Sequence, residues 1–462
     1  MALHLLLSLS LCLPALLSSA SAQDIEKEVK TPAVERQRQK KEVTAAQESA
    51  KLKSPGPADV TYEEVLAHPD DVELNMRYAN AQVRRGDLKG AAATLERVLM
   101  LDPELAQARL FLAVVLYRLD DLVEARQQLE LLAKMPLPAP MAGEVAQYKS
   151  LVDKRFKRNH FTGRAGVGFE YDDNRTAGPS TGQRLFLDTP LTVTGTGARK
   201  EDTAVLFVLG SEVRHQFVNG QEAFLGAGYY QAKQTNLQTL NLQAYSGNLG
   251  ADLHRGRNRL VPNLTFDHIL LAQTTFLRQR GGSLRAEHAF GRKGDVYAEF
   301  TDVYQSYSNT AVVTNADDRT GIEATGVLGG DVVLGPTMKL GGGWQHGVKH
   351  AHVHINAYQR DGLLLNHLWL LGRGTFLLSN FTMNFDKYHD VDTVISAQQR
   401  YDTTFRVSTT YGLPLAIMNP KLSDFIWTFT YEYYQALSTV RNYAYTNNKI
   451  ATMLTYKWDL GF

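Results

Sequence analysis

Cysteine is almost missing from this chain. One occurs in 462 residues, Cys12, inside a short apolar stretch near the amino terminus. Beyond it there is no thiol to bridge, to ligate a metal or to act as a nucleophile. An excess of charge of either sign is missing as well, with 49 Lys+Arg against 48 Asp+Glu. That balance argues against an electrostatic footprint for nucleic acid, and no nucleic-acid partner is expected. Long hydrophobic runs are absent. Residues 5–17, LLLSLSLCLPALL, are too few to span a bilayer as a helix, and no later run is longer. No Walker pattern is present. No spacing of Ser, His or acids marks a triad or an acid pair, so neither an enzyme nor a cofactor is expected.

The short apolar stretch has the form of a secretory signal. ASA at 20–22 supplies small residues for cleavage before Gln23, although the segment before the apolar core carries only His4 and no Lys or Arg. Residues 1–22 are therefore read as a signal peptide. Residues 23–58 are charged, Gln-rich and nearly free of aromatics, a composition too polar to bury a core, and read as a flexible arm. An exported chain without a membrane-length helix is either soluble or a barrel.

Residues 59–156 are helical in pattern and repeat. YANAQVRRGDLKGAAATLERVLMLDP (78–103) aligns with LAVVLYRLDDLVEARQQLELLAKMPL (112–137) at an offset of 34. Ala79 matches Ala113, Asp87 matches Asp121, Leu88 matches Leu122, and Ala91 matches Ala125. Pro69 and Pro103 keep the same spacing. The pattern resembles the tetratricopeptide repeat, with a small residue in the first helix, Gly86-Asp87 at the turn, Ala at the helix crossing and Pro103 at the repeat end. Two departures are Asn75 at the usual aromatic position and Asp120 in place of the second turn glycine. Such repeats stack into a concave surface suited to peptides; two of them with caps are close to the smallest stable stack.

From residue 157 onward the period becomes two. In FTGRAGVGFEYDD, residues Phe161, Ala165, Val167, Phe169 and Tyr171 share one face and Thr162, Arg164, Gly166, Gly168 and Glu170 the other. YDTTFRVSTTYGL and DFIWTFTYEYY read the same way. Strands of this kind fit a soluble sandwich or a membrane barrel. The charged, glycine-rich inner face, the length of the strands and connections that alternate short and long favour the barrel. Fourteen strands are expected, near 160–172, 202–218, 221–234, 240–255, 259–272, 281–291, 294–308, 319–334, 337–349, 359–371, 374–388, 398–414, 422–435 and 446–462. The fold class is thus a small helical tetratricopeptide-repeat domain followed by a transmembrane antiparallel β-barrel of about 14 strands. An even count puts both barrel ends, and so the repeats, on the short-turn, periplasmic side.

Two clusters invite a chemical reading. His346, His350, His352 and His354 lie in HGVKHAHVH, and the last three share one side of an extended chain. They are expected in an exposed loop without Cys or carboxylate companions, which weakens a metal reading. YDDNR (171–175) could hold calcium, but an Asx turn ending the strand is preferred. Arg164, Glu170, Glu212, Arg214, Asp402 and Arg406 are expected to pair along a charge-balanced inner wall.

Signal, repeats and barrel in that order resemble the Slam family, the surface lipoprotein assembly modulators. GVGFEYDDN is similar to that family's first barrel strand, though the repeat region is short for the family. The resemblance implies an outer-membrane conduit that helps particular lipoproteins or secreted proteins cross, with the repeats meeting clients in the periplasm and no catalytic residues. The rival is an exopolysaccharide-export porin. The last strand closes on Tyr456, Trp458, Leu460 and Phe462, facing lipid, and resembles the signal read by the β-barrel assembly machinery.

Overall fold

In the computed structural model, residues 60–217, 220–291 and 293–461 are described. The expected signal peptide and arm, up to residue 58, lie outside them, as does Phe462. The chain divides into two compact units, one helical and one of strands.

The helical unit has six helices: α1 (Tyr62–Ala67), α2 (Val72–Arg85), α3 (Leu88–Leu101), α4 (Ala106–Arg118), α5 (Leu122–Leu132) and α6 (Ala139–Phe156). Their starts are set by short acceptor side chains. Asp71, Asp87 and Asp121 each take the amide of the residue three on, which satisfies a donor that the helix cannot. Thr61 and Glu64 form a reciprocal capping box on α1. The turn after α2 needs the left-handed region, and Gly86 takes it at φ 85°. Asp120 stands at the same point of the next repeat and takes the same conformation at φ 68°. The missing glycine therefore leaves the geometry intact, because a short polar side chain tolerates that region. Ala79, Ala91, Ala113 and Ala125 are all buried at the helix contacts, around Leu95, Leu129 and Val152. Asn75, at the departed aromatic position, is fully buried and donates to the carbonyls of Pro69 and Asp71 at 2.9 and 2.7 Å. It ties the connection before α2 to the helix.

The second unit is a closed antiparallel barrel of fourteen strands. They are β1 (Asn159–Asp172), β4 (Asp202–Gln216), β5 (Glu222–Gln234), β6 (Leu242–Arg255), β7 (Asn258–Leu271), β8 (Thr274–Ala289), β9 (Gly294–Tyr307), β10 (Gly321–Val333), β11 (Met338–Ala351), β12 (Tyr358–Gly372), β13 (Thr375–Tyr388), β14 (Tyr401–Pro414), β15 (Phe425–Ser438) and β16 (Tyr445–Gly461). A separate hairpin, β2 (Gln183–Phe186) with β3 (Thr189–Thr192), lies between β1 and β4. The expected fold class is the one observed. Each strand pairs with its neighbour in the chain, and β1 closes on β16.

Alternation sorts the side chains. Val167, Phe169, Leu225, Leu264, Phe300, Leu328, Leu365, Phe429 and Leu454 are among the large apolar residues exposed on the outer face. Residues of the other parity point inward. An outward apolar band around a closed barrel is the arrangement of a membrane-spanning barrel. Tyr456 and Leu460 are exposed, and the indole of Trp458 lies over Gly163 of β1, where an added Cβ would meet the ring at about 2.1 Å. A bare backbone there admits the tryptophan at the closing seam.

Two expectations are corrected. Strand β8 begins at Thr274, seven residues before the expected start at 281, and the long loop expected over 272–281 is a two-residue turn. Ala272 and Gln273 adopt φ 47° and 67°, positions usually given to Asn or Gly, and the Ala272 amide is held by the Asn241 carbonyl at 2.8 Å. The turn is made by tertiary hydrogen bonding, so no turn signal marks it. The second correction concerns the histidines. His350 lies within β11, not in a loop, because the strand continues to Ala351, while His346 lies in the strand as expected.

Candidate functional site

The inner face of the barrel and the loops folded over one end form the site. Three levels can be distinguished along the wall.

Toward the short-turn end, charged side chains of both signs are mixed along the wall, with Glu222 opposite Asp252 and Asp295 opposite Asp331 beside the ion pairs. Arg214 pairs with Glu212 and, at 3.0 Å, with Glu222. Arg259 grips Asp252 with both fork nitrogens at 2.8 Å and reaches Glu287 at 3.0 Å. Arg285 continues to Glu287 at 2.5 Å and Glu299 at 3.3 Å, and Lys339 meets Asp331 at 3.2 Å. The ladder spans β4 to β11 and leaves no stripe of one sign. Bidentate geometry of this kind fixes side chains more than it adds stability.

At mid-depth the wall becomes small and uncharged over much of its circumference. Gly210, Gly226, Gly250, Gly281, Ser283, Thr301, Thr325, Gly343, Thr382, Ser408 and Thr430 face inward there. Such a wall offers hydrogen bonds without anchoring any ligand chemistry.

Toward the long-loop end the lumen is filled. One half is closed by the connection from Ser308 to Thr320. Its Val313 and Ala316 are buried against Leu206, Tyr230, Leu242, Leu271 and Leu277 of the inner wall. Full burial of a valine side chain stabilises the packed position by about 1.5–3 kcal/mol. The other half is closed by the connection between β1 and β4. Arg175 is buried 5% exposed, faces Glu170 and Asp172 at 4.0 and 3.7 Å, and donates to the Leu240 carbonyl at 3.3 Å. Ala177 packs with Tyr434, Ala436 and Tyr445. Asn174 of YDDNR donates through its side chain to the carbonyls of Gly178 and Thr446 at 3.0 and 2.9 Å, and its backbone N–H donates to the Asp172 carboxylate at 3.0 Å. That cluster is an Asx turn tying β1 to β16.

The hairpin β2–β3 then crosses to neighbouring loops. Leu185 is held through its backbone by the Asn442 side chain, and the amides of Leu187 and Asp188 donate to the carbonyls of Val394 and Ile395 at 3.0 Å each. The Asp188 carboxylate accepts from the Ser396 hydroxyl and, at 3.0 Å, from the Ala397 amide. These contacts hold its carboxyl below the ordinary aspartate value. Beneath, Arg400 lies between the rings of Tyr388 and Tyr443 at 3.9 and 3.4 Å and pairs with Asp402 at 2.5 Å. Arg360 grips Asp386 at 2.6 and 2.8 Å with both residues buried, and Arg406 meets Glu432 at 3.7 Å. Thus Glu170, Glu212, Arg214, Asp402 and Arg406 all enter pairs on the inner wall; Arg164 lies against Gly210. Asp188, Val313 and Asn442 are not picked out in the sequence, and Arg175 is quoted there only as the last residue of YDDNR. None carries a local pattern; only the length of the two connections marks them.

His346, His350, His352 and His354 are all exposed. His346 faces Asp361 at 3.0 Å and His354 faces Asp390 at 3.8 Å, so they pair separately. Among the described residues no group of three or more His, Cys, Asp or Glu is placed to hold a metal.

A family model described as tetratricopeptide repeat matches residues 83–147. No curated protein matches the sequence. Among solved structures, the chain is similar to OpdL of Pseudomonas aeruginosa, with 11% identity over 65% of this chain and 99% of that one at a TM-score of 0.31. OccAB1 of Acinetobacter baumannii aligns with 8% identity over 65% and 97% at a TM-score of 0.36. The first tetratricopeptide repeat of Spaghetti (RPAP3), bound to an HSP90 peptide, aligns with 17% identity over 20% and 73% at 0.18. The class defined by fold is a closed fourteen-strand β-barrel with an outward apolar face, preceded by tetratricopeptide repeats.

Proposed function

We propose that this protein is an outer-membrane translocon that helps specific surface lipoproteins or secreted proteins across, with its repeats in the periplasm receiving the client. The supporting observation is the combination of a mid-lumen wall that is small and uncharged over much of its circumference with loop segments of the chain packed against the inner wall at the long-loop end. A general diffusion pore has no use for a buried plug of Val313 and Ala316. A conduit for a large, occasional cargo does, because it must seal between passages. Tetratricopeptide repeats generally stack into a concave surface that suits an extended polypeptide, and the alanines buried at the helix crossings fit such a stack. The barrel acts as a conduit without catalysing a reaction. Outer-membrane lipid surrounds it, and the β-barrel assembly machinery inserts it by the row Tyr456, Trp458, Leu460 and Phe462.

An exopolysaccharide-export role is the alternative. A sugar conduit favours aromatic platforms or a stripe of one sign, whereas the ladder from Glu212 to Lys339 carries both signs. Deleting the gene and measuring protease accessibility of surface lipoproteins separates the two. Loss of display of one or a few lipoproteins supports the translocon. Full display with loss of a surface polysaccharide would reject it.

A further inference from the structure

The outer face of the barrel changes character near the long-loop end of β7 to β9. Below that level its large exposed side chains are apolar, Leu260, Leu264 and Phe266 on β7, Leu284 on β8, Val296 and Phe300 on β9, with Asp302 of β9 at the boundary. Above it stand Arg278 and Arg280, both exposed and both on β8. Two residues along a strand place them on one face, about 7 Å apart. Arg280 lies opposite Tyr304 of β9 with its guanidinium 5.2 Å from the ring centre, and Arg278 lies opposite His268 of β7 and Ser306 of β9. The nearest outward acid is Asp302, diagonal to Arg280 through its partner Gly282. Among the described residues neither arginine is ion-paired. This contrasts with the inner wall, where arginines take carboxylates at 2.5–3.7 Å.

Two unpaired guanidinium forks beside a tyrosine ring, just beyond an apolar band, meet one chemistry well: a lipid whose phosphate sits at the band's edge while its chains lie along the apolar strands. Guanidinium forks match phosphate oxygens, and the neighbouring ring holds the fork in place. We propose that Arg278 and Arg280 form a binding site for a phosphate-bearing lipid headgroup in the leaflet on the long-loop side. The site orders lipid against β7–β9, the same strands whose inner faces receive Val313 of the plug. It rests on the membrane-spanning reading of the barrel given above.

The test uses the full chain folded in detergent, immobilised and exposed to diphosphoryl lipid A, beside the double variant R278Q/R280Q. Both proteins are first checked for heat-modifiable migration, which reports the closed barrel. Retention should fall about tenfold in the variant, and the two proteins should behave alike toward the same lipid stripped of its phosphates. Equal retention of the phosphorylated lipid by both folded proteins would overturn the site. Displacement of the lipid by millimolar inorganic phosphate would also overturn it, by showing a free-anion site. If the unaltered chain shows no heat-modifiable migration, the membrane reading fails and takes this inference with it.

Discussion

Asn442 holds Leu185 from 257 positions away, taking its amide N–H and donating to its carbonyl at 3.0 Å. A side chain in the β15–β16 connection thus completes the backbone bonding of the hairpin that covers the barrel's long-loop end. The lid is latched by polar contacts, while the other half of the closure is packed by apolar ones.

Asn442→Ala removes both contacts. Two hydrogen bonds contribute about 1–3 kcal/mol, so the population with the lid released should rise roughly tenfold. Single-channel recording in planar bilayers should show more frequent openings than the unaltered chain, with the folded fraction unchanged.

The second latch is titratable. Asp188 has its carboxyl held below the ordinary value of 3.8 by the Ser396 hydroxyl and the Ala397 amide. A depressed value in the latched state means that the contact is full above 3.8 and is lost as pH falls through the lower, latched value. Opening frequency should therefore rise as the medium is acidified below about 4. Asp188→Asn should remove that acid-dependent rise.

Inside the wall, Asp386→Asn leaves the buried Arg360 guanidinium short of its carboxylate, with only Glu323 at 3.7 Å. Breaking one partner of a buried pair costs about 3–5 kcal/mol, so the urea midpoint of the barrel in lipid should drop clearly. Replacing both partners by apolar residues, R360M/D386L, should recover most of the loss.

The repeat turns allow a sign test. Gly86→Ala forces a Cβ into φ 85° and should destabilise the helical unit by about 1 kcal/mol. Asp120→Gly relieves φ 68° and should not destabilise it, gaining up to about 0.5 kcal/mol. Thermal loss of the helical far-ultraviolet signal in the full chain reads both.

Much of this architecture is visible in the sequence because its determinants are local. The offset of 34 places Ala79, Ala91, Ala113 and Ala125, and all four are buried. Period-two alternation places thirteen of the fourteen barrel strands close to their observed starts, since an apolar outside and a wet inside leave a residue-by-residue mark. What was not legible depends on distant partners. The turn at Ala272-Gln273 is stabilised by the Asn241 carbonyl, and the hairpin turn at Leu187-Asp188 by Val394 and Ile395. Neither has the Asn or Gly by which such turns are recognised. The plug is hidden for the same reason. Val313 is an ordinary loop valine until the inner faces of β4–β8 surround it. The histidines mislead in the other direction, because a run of like residues suggests a cluster, whereas His346 and His354 take separate acid partners.

The measurement closest to the central claim is photo-crosslinking in living cells from two adjacent positions of β9. Thr301 faces the mid-lumen wall and Phe300 faces outward. A photoreactive residue at 301 should trap a polypeptide client in transit, and the same residue at 300 should trap none. Polysaccharide adducts at 301 without any protein adduct, or protein adducts at 300 in place of 301, would contradict a protein-conducting lumen.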